Sequence, residues 1–65
     1  MMQPHQQRVV DEYNELVMRT TALGVFFGKD TFQRLDQAEQ ERLNKQWKLM
    51  QQYGEVLAER IEHFK

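Results

Sequence analysis

Pro4 is the last proline in the chain, and beyond it apolar residues return at alternating spacings of three and four. That period belongs to one face of an α-helix, not to a strand. In the first half the stripe is Val9, Tyr13, Leu16, Thr20, Leu23 and Phe27, with Val10 and Val17 beside it. Pro4 suits a first helical turn, where its missing N–H has no partner to lose. Asp11, Glu12 and Glu15 fall early and Arg19 later, the order the helix dipole favours. The pattern predicts a first helix over residues 4–27, about 36 Å long.

The period breaks once, at FFGKDTFQR, residues 26–34. Gly28 stands where helices commonly end in a left-handed residue. Asp30 or Thr31 is then placed to cap a short turn over residues 31–35. Asp36-Gln-Ala-Glu39 has the form of a capping box and opens a second helix, predicted over residues 37–64. Its stripe is Leu43, Trp47, Met50, Gly54, Leu57, Ile61 and Phe64, with Leu49, Tyr53, Val56 and Arg60 alongside. Gly54 either admits a close backbone neighbour or weakens the helix by about 1 kcal/mol relative to alanine. The expected fold is all-α: an antiparallel helical hairpin with a short corner, one domain spanning residues 1–65. No internal repeat, low-complexity tract or linker interrupts it.

A chain of 65 residues lies below the size at which one core is comfortably stable. It has no cysteine, so neither a disulfide nor a thiolate-bound metal can staple it. Each helix of a hairpin can bury one stripe, which leaves Val10, Val17, Phe26, Leu49, Tyr53 and Val56 without a home. A symmetric oligomer is therefore expected. Nine basic against ten acidic side chains give a net charge of −1, which argues against a binder of duplex DNA or RNA. It leaves room for a local basic pocket around a small anion. No apolar run approaches the roughly 20 residues that span a bilayer, and MMQPHQQR lacks the apolar core of a secretory signal. A soluble, cytoplasmic protein is expected, without membrane contact.

Support for catalysis is thin. Serine is absent as well as cysteine, and the carboxylates are scattered over helical faces. Asp11, Glu12 and Glu15 could join a metal site only across subunits, and neither helix carries the Glu-x-x-His of di-iron bundles. No enzymatic activity, metal or cofactor is expected. Binding has more to stand on. Lys29 follows Gly28, and Thr31 begins a helical turn, so the corner combines a cation and a hydroxyl in a form suited to phosphate. Tyr13 can stack on a nucleobase if a second subunit brings it near. Arg60 continues the apolar row Leu49, Tyr53, Val56, where an arginine repeated by symmetry calls for an anion. The plainer readings are a solvated lysine, a capping threonine, a core tyrosine and an arginine complementing the helix dipole. Trp47 and the four methionines read as core filling and an initiator.

HQQRVVDEYNEL, FFGKDTFQRL and EQERLNKQWKLMQQYGEVLAERIEHF follow one another over residues 5–64. Together, with HQQRV-x-x-E and L-x-x-R-I as their most specific pieces, they resemble the small crAss-phage-related proteins that include the phage anti-CBASS cyclic-nucleotide sponges. The resemblance implies a helical homo-oligomer, a hexamer in the sponge. It implies that cyclic oligonucleotide ligands, such as 3′,3′-cyclic GMP–AMP and cyclic tri-adenylate, are sequestered without being cleaved. CBASS-type signalling in the infected bacterial host would be blocked in this way. In such a sponge cyclic dinucleotides lie between paired subunits, with a first-helix tyrosine on the base and a corner lysine on the phosphate; Tyr13 and Lys29 match. Cyclic trinucleotides occupy a separate three-subunit site with a corner threonine and a late arginine, matched by Thr31 and Arg60. The competing expectation is a helical protein-interaction adaptor of a phage with no nucleotide ligand.

Overall fold

Pro4 is the first helical residue in the computed structural model of the chain, which describes residues 2–64. Met1, read above as the initiator, and Lys65 lie outside the described residues. Three helices follow in order: α1 over Pro4–Phe26, α2 over Asp30–Gln33 and α3 over Gln37–Glu62. The described residues contain no strand. Gln6 Oε1 accepts the Gln3 backbone N–H at 2.9 Å, which satisfies one donor left free ahead of the proline. Both long helices end slightly earlier than their apolar period, with Phe27 and His63 as C-caps.

The two stripes meet each other. Val9, Leu16 and Leu57 form the buried cluster, and Tyr13, Met50, Ile61 and Phe64 pack around it half-buried. Leu57 alone is fully buried. Rising positions of α1 meet falling positions of α3: Leu16 lies beside Gly54, while Thr20 and Gly24 lie beside Trp47. The two long helices thus run in opposite directions. Thr20, the one polar member of the α1 stripe besides Tyr13, is satisfied within it. Its hydroxyl donates to the Leu16 carbonyl at 2.7 Å, and its own carbonyl accepts the Trp47 indole N–H at 3.2 Å.

The corner departs from the sequence reading in three places. Gly28 is not left-handed, since no described residue has a positive φ. The chain instead tightens, with Gly28 N–H donating to the Val25 carbonyl at 3.1 Å and Lys29 N–H to the Phe26 carbonyl at 2.9 Å. Neither Asp30 nor Thr31 caps α2. Lys29 is its N-cap, in extended conformation, and no side chain supplies the cap bond. Asp36 does cap α3, accepting the Glu39 N–H at 3.3 Å, but the box is half-made: Glu39 turns forward to Arg42 at 2.8 Å. An arginine in reach outcompetes a backbone N–H for a carboxylate, because that bond is charge-assisted at both ends.

Phe32 holds the corner in place. Its ring is buried, with edge contacts to Phe26 at 5.8 Å and Phe27 at 5.0 Å, and Phe27 in turn meets Trp47 at 5.9 Å. Phe26, expected to be homeless, therefore has a partner inside the chain. Gln40 closes the corner from α3. Its side-chain amide lies 3.0–3.3 Å from the carbonyls of Phe32, Gln33 and Leu35, at and just beyond the end of α2.

The result is a rod, 48 × 15 × 13 Å, with a radius of gyration of 14.9 Å against about 11 Å for a compact chain of this length. It exposes 5377 Å², where size scaling for a 7.9 kDa monomer gives about 4400 Å². The excess includes apolar surface: Leu49 is 54%, Val56 52% and Tyr53 45% exposed.

The two glycines in the seam are predicted to respond differently to alanine. At Gly54 a methyl group would sit 3.8 Å from Leu16 Cδ2, an ordinary contact, so Gly54→Ala gains helix propensity of about 1 kcal/mol. The melting temperature should rise by about 4–8 °C. At Gly24 the methyl would press to 3.4 Å on the Trp47 ring nitrogen, whose hydrogen bond to Thr20 fixes it. Gly24→Ala should give no rise in a thermal melt followed by circular dichroism; equal rises in both variants would contradict this packing.

Candidate functional site

Each candidate residue is placed by a different part of the rod. Lys29 and Thr31 are exposed at the corner, on a backbone braced by Phe32 and Gln40. Tyr13 lies on α1 about 21 Å from that corner, from the helical rise. Arg60 lies in the last turn of α3, about 36 Å from the corner along the rod. No single chain can therefore bring Tyr13 to Lys29, or Thr31 to Arg60. Any ligand touching both members of either pair must be held between copies.

Tyr13 does more than fill the core. Half-buried against the cluster, it also walls an open groove of about 340 Å³ between α1 and α3. The floor is Leu16, Met50 and Gly54, and Thr21, Gln51 and Glu55 stand at the edges. Gly54 contributes no side chain to this groove. Such a groove suits a planar ring laid against tyrosine, with hydrogen-bonding groups in reach of its edge.

Among the described residues, Lys29 and Arg60 lie in no ion pair; the pairs present are Arg19 with Glu15 and Arg42 with Glu39. Both are exposed pairs one helical turn apart, of small energetic weight. The guanidinium of Arg42 is held above its ordinary pKa, first by its hydrogen bond to Glu39 and then by that carboxylate's charge. The charges of Lys29 and Arg60 are thus available to an anion. No described group of three histidine, aspartate or glutamate side chains converges on a metal-sized space. Among the described residues, no helix is long and apolar enough to cross a membrane.

Three contributors escaped the sequence reading. Gln40 reaches back five to eight residues to the corner carbonyls, and no local pattern marks it. Gln51 and Glu55 reach the Tyr13 groove from the flank of α3, visible only once the register of the helices is known.

The sequence matches the family described as Sequestin over residues 3–63, nearly the whole chain. It is also 38% identical over 64 residues to an uncharacterized 7.5 kDa protein of the denB–rIIB intergenic region of Enterobacteria phage T4, covering 98% of this chain and all of the relative. Both findings agree with the resemblance to small phage proteins of sequestering type. No solved structure matches the chain.

Because Lys29, Thr31 and Arg60 are exposed and make no ion pair among the described residues, replacing any of them with alanine should change stability by no more than about 0.5 kcal/mol. Phe32→Ala should cost about 3 kcal/mol or more by emptying the buried corner. Urea denaturation of the four variants checks both statements. A large loss at Lys29 would mean that its side chain supports the fold.

Proposed function

Since this chain belongs to the Sequestin family, we propose that it is a phage immune-evasion protein that binds and holds cyclic di- and trinucleotide second messengers without degrading them. Ligands such as 3′,3′-cyclic GMP–AMP and cyclic tri-adenylate, once withheld from their receptors, leave CBASS-type signalling in the infected host cytoplasm inactive. The observation that carries this reading is the open groove beside Tyr13, lined by Leu16, Met50, Gly54, Gln51 and Glu55, which offers a tyrosine ring and polar edges to a base. The free charge of Lys29 and the hydroxyl of Thr31 on a braced corner supply phosphate contacts of the stronger, charge-assisted kind.

In this reading two antiparallel hairpins, each a single domain, share a cyclic dinucleotide. Tyr13 of one copy stacks on a base while Lys29 of another meets the phosphate. Thr31 and Arg60 from different copies build a second site for a cyclic trinucleotide. The separations along the rod call for different registers, about 21 Å in one case and about 36 Å in the other, which favours an assembly larger than a dimer, such as a hexamer. The chemistry asked of the protein is binding alone, in keeping with the family name.

Native mass spectrometry with each nucleotide tests the reading. Ligand-loaded oligomers should appear and release unaltered nucleotide on denaturation. Tyr13→Ala and Lys29→Ala should weaken cyclic dinucleotide binding by roughly 10- to 100-fold, the scale of a lost stacking or charge-assisted contact. Arg60→Ala should affect the trinucleotide selectively. An oligomer that stays empty with both nucleotides would leave the interaction-adaptor reading in its place.

A further inference from the structure

Among the residues that line the Tyr13 groove, Glu55 alone is charged. Its side chain is exposed at the edge, on α3, and lies in no ion pair among the described residues. A carboxylate in that place governs which end of a nucleotide can enter. It accepts hydrogen bonds and donates none, and it repels phosphate. A cyclic dinucleotide therefore turns a base into this groove and keeps its phosphates outside it.

Stacking on Tyr13 does not tell one base from another, since every base has an aromatic face. Identity is left to the groups that meet the base edge, and on α3 these are Glu55 and, one turn earlier, Gln51. The two favour different purines. Along its Watson–Crick edge guanine sets two donors side by side, N1–H and the N2 amino group. Adenine sets one donor, the N6 amino group, beside the bare N1 acceptor. A carboxylate has an acceptor for each guanine donor, whereas against adenine one of its oxygens faces the N1 lone pair. A glutamine amide, with one donor and one acceptor, fits adenine. Each pairing forms two hydrogen bonds, so charge separates them: bonds to an ionised acceptor are roughly twice as strong as neutral ones.

We infer that Glu55 reads the base in this groove and makes it selective for guanine over adenine, an inference that rests on the nucleotide-binding reading above. With guanine laid against Tyr13, N1–H and the N2 amino group donate to the two carboxylate oxygens of Glu55. A dinucleotide with one guanine is then held more tightly than one with two adenines.

Isothermal titration calorimetry of the full chain with 3′,3′-cyclic GMP–AMP, cyclic IMP–AMP and cyclic di-AMP tests the assignment. Cyclic GMP–AMP should bind about 10-fold or more tighter than cyclic di-AMP, the scale of one bidentate base contact. Cyclic IMP–AMP keeps N1–H and lacks the N2 amino group, so it should fall between them. Glu55→Gln should reduce the ratio of the two outer affinities by about 10-fold. The ratio is the readout because removing a negative charge favours all three anionic ligands alike. Gln51→Ala should preserve the guanine preference. Both side chains are exposed, and helical circular dichroism should be unchanged in both variants. Equal affinities in the native chain, an unchanged ratio in Glu55→Gln, or a preference lost in Gln51→Ala would each overturn the assignment and leave the sponge reading standing. A native chain that binds none of the three would overturn both.

Discussion

Two helices lying side by side can each hide one stripe from water, and in this chain the hiding is complete only at Leu57. That limit governs the rest. Val9 and Leu16 close over Leu57 from α1, and the neighbouring positions stay half-wet because no third long element exists to cover them. Burial of three or four side chains stabilises by roughly 5–12 kcal/mol in total, at about 1.5–3 kcal/mol each. Ordering a chain of this length costs far more than those side chains return. Much of the balance comes from backbone hydrogen bonding and half-buried packing, and the surface excess over a compact monomer leaves room for contacts with other molecules.

The seam was legible in the sequence because its signal is repetitive. Every member of the two predicted inner stripes, from Val9 to Phe27 and from Leu43 to Phe64, is buried or half-buried. The corner was not, because its geometry is decided by contacts distant in sequence. Gly28 needs no left-handed conformation once Phe32 packs on Phe26 and Phe27 and pulls the chain into a tighter turn. Glu39 reads as half of a capping box until Arg42 takes its carboxylate. Gln40 reads as one more surface glutamine until three carbonyls are found around its amide. For the candidate site the same division holds. The residue types and their order are visible in the chain, whereas the separation of the Tyr13 groove from the Leu49–Tyr53 face depends on which flank of α3 meets α1.

The corner has a second consequence for binding. A lysine on a free loop loses considerable side-chain and backbone entropy when it meets an anion. Lys29 starts from a backbone already fixed by the aromatic cluster and by Gln40, so only its own side chain has still to be ordered. Rigid support under an exposed cation is the arrangement a phosphate contact needs.

On the proposed reading, ligand and assembly are thermodynamically linked. A nucleotide held between copies binds the assembled state and not the separated chains, so it stabilises the assembly by RT ln(1 + [L]/Kd), about 2.7 kcal/mol at a hundredfold excess over Kd. For a chain whose core is centred on one fully buried leucine, that is a large fraction of what holds it folded. The linkage runs in reverse too. An assembly formed in advance would remove part of the association cost that the ligand otherwise has to offset. A protein that must capture a scarce signalling molecule gains affinity from being assembled before the molecule arrives.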